Sequence, residues 1–165
     1  MNALTMKGGK MDSCCDRPSP STRHQACPSC GTSGRPVEAI TLRSLLHAEH
    51  LFERLGGFRF CATPTCQVVY FNEEGATFRE AELRVAVWQK HDDPTVPICY
   101  CFGWNEDRIR TEIAETGKST ALSAISAQVR AGACNCAINN PQGSCCLGNI
   151  SRVVNRNLFE VQRAE

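Results

Sequence analysis

The twelve cysteines of this 165-residue chain occur as six close pairs, and that spacing limits what the chain can fold into more than any other feature. A chain of this length makes one medium domain or two small ones. With aromatics at 7% and only two tryptophans, two small domains would have thin apolar cores. Such cores need a staple, either a metal or disulfides. Compartment decides between the two. Met1 to Asp16 contains no apolar run of the kind a secretory signal needs, and no stretch is long and apolar enough to span a membrane. A cytoplasmic location is therefore expected, where thiols stay reduced and serve as metal ligands. The net charge is +1 and no Lys/Arg stripe stands out, so an electrostatic footprint for nucleic acid is missing.

Punctuation divides the chain. Residues 1–26 are polar, with Gly8–Gly9, Pro18 and Pro20, and are expected to form a flexible arm. Residues 27–90 form the first unit, and 91–97, with Asp92, Asp93, Pro94 and Pro97, a linker. Residues 98–165 form the second unit. In the first unit, Val37 to Ile40 is a strand candidate. Leu42, Leu45 and Leu46, then Leu51, Phe52 and Leu55, follow helical spacing up to the Gly56–Gly57 stop. Phe58–Phe60 and Val68–Phe71 are β-rich runs, and Phe78–Val87 continues the sheet or starts a short helix. The second unit reads as helices. Asn105 caps one that carries Ile109 and Ile113 and stops at Gly117. Ser119 or Thr120 opens another, with Leu122, Ile125 and Val129 inward and Gly132 as its stop. Ile150, Val153 and Val154 mark a third after Cys146. The expected class is α+β, a small metal-stapled mixed unit followed by a mainly helical one.

Cys27-Pro-Ser-Cys30 is followed, after thirty residues, by Cys61-Ala-Thr-Pro-Thr-Cys66. Each short pair can turn two sulfurs toward one ion, with Gly31 and Pro64 helping the chain bend. Four thiolates in a closed tetrahedral shell are the usual structural zinc arrangement, which leaves no open position for catalysis. Metal binding then contributes directly to folding. His47 and His50 are alternative ligands, or surface residues of the intervening helix.

Cys99-Tyr-Cys101 opens the second unit, and after thirty-two residues come Cys134-Asn-Cys136 and then Cys145-Cys146. The distant cysteines return after a helical hairpin to close a site. Cys145 and Cys146 immediately precede a predicted helix, whose positive end favours thiolate charge. Four thiolates supplied in this way commonly hold an iron–sulfur cluster. Spacing does not separate Cys134 from Cys136, or Cys145 from Cys146.

The run Ile98-Cys99-Tyr-Cys101-Phe-Gly, with Cys136-Ala-Ile-Asn-Asn-Pro-Gln-Gly-Ser-Cys145-Cys146-Leu-Gly, resembles the bacterioferritin-associated-ferredoxin-like [2Fe–2S] domain. It resembles still more the N-terminal region of CopZ-type copper chaperones that carry a [2Fe–2S] cluster and a zinc ion. Cys27-Pro-Ser-Cys30, Phe60-Cys61, Cys66 and Val68-Val69-Tyr70-Phe71-Asn72-Glu73 fit the same family, so the resemblance covers Cys27 to Val154. It implies zinc on Cys27, Cys30, Cys61 and Cys66. It implies the cluster on Cys99, Cys101, Cys136 and Cys146, with Cys134 and Cys145 as neighbours able to exchange in. Family members that hand copper on also carry a C-terminal heavy-metal-binding domain with its own C-x-x-C. The chain, ending at Glu165, shows none, so delivery of Cu(I) is expected to need a separate metal-binding or redox partner.

The resemblance thus implies an accessory protein of metal homeostasis, copper foremost, whose cluster moves one electron at a time, for instance to reduce Cu(II). An iron or redox sensor read by a partner, or an electron-delivery subunit of a separate reductase, are the competing expectations. No Gly-rich nucleotide loop, metal-binding His-Glu pair or nucleophile-and-base arrangement marks an autonomous enzyme. Tyr100, Phe102 and Trp104 flank the second site and either shield it or simply pack. Cys14 and Cys15, on the arm, are read as a soft-ion capture pair for Cu(I) or Hg(II), or as incidental thiols. Oligomeric state is not legible.

Overall fold

A computed structural model describes residues 25–50 and 55–164. The first half is built on an antiparallel sheet of β1 (Arg35–Pro36), β2 (Arg59–Phe60), β3 (Val68–Phe71) and β4 (Thr77–Arg79), in that spatial order. All four residues of β3 are buried, because the strand separates two apolar clusters. Val69 and Tyr70 face a core of Leu42, Leu46, Phe58, Phe60 and Phe78. Val68 and Phe71 face Cys27, Cys61 and Cys66. Strict alternation would not divide the four residues this way. The pairing register of β3 with β4 shifts between Val68 and Tyr70, and such an irregularity re-aims side chains.

Two local expectations are corrected. Val37 to Ile40 is not a strand: β1 lies just before it, and helix α1 (Ala39–Leu45) begins within it. Val37 is left between them, its N–H bonded to Phe58 O at 3.0 Å. Nor does α1 run on through Leu46, whose backbone turns extended and bridges Leu83 across the core. Leu51 and Phe52 lie outside the described residues. The segment from Phe78 divides: β4 ends at Arg79, and a single tight turn, Glu80–Glu82, follows.

Gly34 marks a close approach. A Cβ there would lie 2.5 Å from the Phe71 ring and 2.9 Å from Arg59 Cβ, both on neighbouring strands. Gly34→Ala should therefore lower stability by about 1–3 kcal/mol through overpacking. Denaturant unfolding checks this, and an unchanged midpoint would contradict it.

The second half starts with a hairpin of β5 (Pro97–Cys99) and β6 (Trp104–Asn105). Helix α2 (Glu106–Thr116) follows as expected. Asn105 Oδ1 accepts from Arg108 N at 2.9 Å, Glu106 and Asp107 sit in the first turn, and Gly117 closes the helix at φ 73°. Left-handed backbone of this kind suits glycine. Helix α3 (Ala121–Arg130) buries Ala121 and Ile125, with Leu122 and Val129 at the flank rather than fully inward. A short helical turn, α4 (Cys136–Asn139), and the long α5 (Leu147–Ala164) complete the half. Ile109, Ile113, Ile125, Ile150, Val153 and Val154 meet in one core with Ile98, Cys99, Trp104 and Cys146. The class is α+β. Among the described residues, no helix is long and apolar enough to cross a membrane.

The halves pack together. Residues 91–97, read as a linker, include buried Val96 and run directly into β5, and Pro94 O accepts from Asp107 N at 3.0 Å. Buried Thr41 on α1 donates to Ala137 O at 2.7 Å, and buried Tyr70 on β3 donates to Pro141 O at 2.7 Å. Gln89 Nε2 donates to Gln142 Oε1 at 2.9 Å. The segment carrying Cys136 therefore rests on the core of the first half.

Candidate metal centres

The first four thiols come from two loops held by backbone bonds. Cys27 N donates to Thr32 O and Gly31 N to Cys27 O, both at 2.8 Å, which curls the Cys27–Cys30 turn. Cys61 follows β2 and Cys66 precedes β3. Cys61 N reaches Val69 O at 2.8 Å, and Cys66 N closes on Thr63 O at 3.2 Å. The sheet thereby brings both pairs to one point. Cys27 Sγ lies 3.8 Å from Cys66 Sγ and Cys30 Sγ 3.6 Å from Cys61 Sγ, and all four sulfurs lie within 4.8 Å of one another. Cys27, Cys61 and Cys66 are buried, and Cys30 is exposed. His50 stands edge-on to Phe78 and 3.6 Å from Glu82, and neither histidine joins the set.

Electrostatics in this set are uneven. The Thr63 hydroxyl, 3.4 Å from Cys30 Sγ, holds that thiol down to about 5. Burial pushes Cys27 up to about 12 and also raises Cys61. Lys90 opposes the rise at Cys61 and is fixed nearby by donating from Nζ to Thr63 O at 2.7 Å. Binding of a divalent ion to the set displaces thiol protons, so metal affinity there rises with pH. Four sulfurs around one point suit a tetrahedral ion and leave no ligand position free.

The second set has a different geometry. Cys101 Sγ and Cys136 Sγ lie 3.9 Å apart, and Cys99 and Cys146 share the helical core, where each thiol shifts the other's acidity. Among the described residues, three or more ligand atoms converge within 4.8 Å only in the first set. The second set therefore consists of two close pairs rather than one four-sulfur focus. Cys99 and Cys146 form the inner pair, buried in the helical core, while Cys101 and Cys136 are half-buried. Of the neighbours that spacing left open, Cys134 is half-buried and Cys145 is exposed. The Cys146 thiol holds Cys99 down to about 6, and Cys99, with burial, raises Cys146. Burial first, then the charge of Cys101, pushes Cys136 up to about 12. Cys146 stands at the start of α5, where its carbonyl accepts from Asn149 N and Ile150 N. Cys99, Cys101, Cys136 and Cys146 are a four-thiol donor set that could hold an iron–sulfur cluster, which would supply one-electron chemistry.

Sequence reasoning missed the polar groups around these sulfurs. Asn135 N donates to Cys101 Sγ at 3.3 Å and Asn139 Nδ2 at 3.6 Å. Gln142 and Asn140, both buried, hold the loop before Cys146: Gln142 Nε2 donates to Cys145 O at 2.9 Å, and Asn140 Nδ2 to Ser144 O at 3.0 Å. Tyr100 also has a polar role. Its hydroxyl donates to Ala86 O and accepts from Trp88 N, and so joins the two halves. The available signal was the density of amide side chains between Cys134 and Cys146, which a plain turn does not require. Cys14 and Cys15 lie outside the described residues.

Residues 24–84, which contain the whole first thiol set, match the family of the CopZ zinc binding domain. The X-ray structure of the Archaeoglobus fulgidus CopZ N-terminal domain superimposes with a TM-score of 0.65 at 32% identity, covering 78% of this chain and 96% of that one. The chain belongs to the CopZ N-terminal domain family. The copper chaperone CopZ of Archaeoglobus fulgidus is 33% identical over 128 residues, which is 77% of this chain. The chain spans 60% of the length of that CopZ relative. The CopZ N-terminal fold extends beyond residues 24–84, because the structural match covers more of the chain than the zinc binding domain alone.

Proposed function

We propose that this protein is an accessory protein of copper homeostasis that binds structural zinc through Cys27, Cys30, Cys61 and Cys66 and a [2Fe–2S] cluster through Cys99, Cys101, Cys136 and Cys146. The observation that carries the cluster reading is the division of the second set into two close pairs, beside a first set that closes on one point. When bound, a [2Fe–2S] cluster supplies one-electron transfer. The substrate that fits this chemistry is Cu(II), which takes up one electron to become Cu(I). The family match and the copper chaperone relative support the metal.

The chain's own residues divide the work. The buried pair Cys99 and Cys146 keeps one end of the site dry within the helical core. Half-buried Cys101 and Cys136 place the other end near the surface, within reach of a partner. A separate metal-binding or redox protein exchanges copper and electrons there. The exposure of that outer end also favours a second reading, a sensor whose cluster is lost to oxidant. Reversible reduction with full retention of iron supports electron transfer, and rapid loss of iron in air supports sensing.

The deciding experiment is anaerobic purification followed by visible absorption and metal analysis of the same sample. The expected result is about two iron, about two sulfide and about one zinc per chain. A colourless protein carrying zinc alone, even after attempted cluster reconstitution, would overturn the redox reading and leave a zinc-binding interaction module.

A further inference from the structure

The Cys101 thiol lies against the opening of α4. Asn135, the residue before α4, directs its backbone N–H at Cys101 Sγ at 3.3 Å. Asn139, one turn later on the same face, directs its side-chain Nδ2 at the same sulfur at 3.6 Å. Asn139 N in turn donates to Asn135 O at 2.9 Å, which keeps the two donors in register. Cys99, in the other pair, takes its donors from the backbone of Cys101 and Phe102. Among the described residues, Asn139 is the one non-cysteine side chain that donates to a sulfur of the second set.

Starting from the cluster reading above, we infer that Asn139 is a positioning residue that sets the reduction potential of the site through its bond to Cys101. An N–H aimed at a thiolate stabilises negative charge, and stabilises it more after an electron is added. Hydrogen bonds to the ligand sulfurs therefore raise the potential. The Asn135 and Asn139 donors both fall on the half-buried pair, at the outer end of the site, where a partner makes contact. The backbone N–H of Asn135 is independent of side chain, which leaves Asn139 as the adjustable donor. The position fits an amide: a carboxylate there would add a like charge beside the thiolate, and an apolar side chain would remove the donor.

The test is a spectroelectrochemical titration of the full-length wild type, Asn139→Ala and Asn139→Asp, each assayed for iron, sulfide and zinc. Asn139→Ala is expected to keep its metal content and titrate at a lower potential. At a fixed ambient potential, its reduced-to-oxidised ratio should fall about fivefold, as for the loss of one ordinary hydrogen bond. Asn139→Asp, similar in size, is expected to fall further. Potentials equal to the wild type in cluster-bearing variants would overturn the inference while leaving the cluster reading intact. If neither variant takes up a cluster although zinc content and circular dichroism match the wild type, the inference is also overturned, and Asn139 is needed for assembly instead. A wild type without iron or sulfide would fail the functional reading itself.

Discussion

Cys61→Ser is expected to unfold the first half of this protein at neutral pH and to reduce iron uptake by the second half as well. The apolar core around β3 is small, and three of the four converging thiols belong to the cluster packed on Val68 and Phe71. Structural zinc contributes on the order of 10 kcal/mol to the folding of small domains of this kind, as much as the whole net stability of an ordinary domain. Serine at position 61 breaks the set at a buried thiol that lies 3.6 Å from Cys30, and the remaining three sulfurs cannot close a tetrahedron. The effect should then spread. Thr41, Tyr70 and Gln89 belong to the first half, yet they hold Ala137, Pro141 and Gln142, the segment between Cys136 and Cys146. Without those anchors the hairpin loop no longer presents Cys136 and Cys146 to their partners. Zinc analysis, thermal melting by circular dichroism and iron content together check this. A zinc-free variant that still melts cooperatively at the wild-type temperature would refute a structural role for the metal.

Cys99→Ser should have the opposite pattern, with loss of the visible spectrum, iron and sulfide but retention of about one zinc per chain. Cys99 lies in the helical core at 1% exposure, and the thiol of Cys146 already favours its ionised form. A serine hydroxyl in that position stays protonated and is a poor ligand for iron. The exposed Cys145 and half-buried Cys134 lie on the far segments of the site rather than on β5, so neither is placed to substitute at this corner. The anchoring contacts of the first half do not involve Cys99, so zinc binding and the melting of that half should persist. Full iron content in the variant would remove Cys99 from the ligand set.

Comparing the two variants also tests the order of dependence. The first half holds the Cys136–Cys146 segment of the second through Thr41, Tyr70 and Gln89, whereas the second half reaches back through the Tyr100 hydroxyl to Ala86 and Trp88, outside the segments that carry the first four thiols. Loss of zinc should therefore compromise both sites, and loss of the cluster only one.

Much of this was written locally. Cys27 lies near Cys30, and Cys61 near Cys66, because short spacings make tight turns that constrain atoms a few residues apart, while the sheet brings the two pairs to one point. The caps of α2 were equally legible, since Asn105 and Gly117 act on backbone groups within one turn. The strand expected at Val37–Ile40 failed for a nonlocal reason: the core needed Leu42 and Leu45 buried on a helix beginning at Ala39, and packing overrode a short β-rich run. The same limit applied at the second site. Cys134 and Cys136 are two residues apart and Cys145 and Cys146 are adjacent, so spacing treats each pair as equivalent. Their separation came from the packing of α4 on α1 and of α5 on the hairpin, which turned Cys136 toward Cys101 and Cys146 toward Cys99. Sequence alone could place the thiols in small groups, because that depends on chain geometry over a few bonds. Which sulfur faces which across more than thirty residues depends on burial in a shared core, and that exists only once the chain has folded.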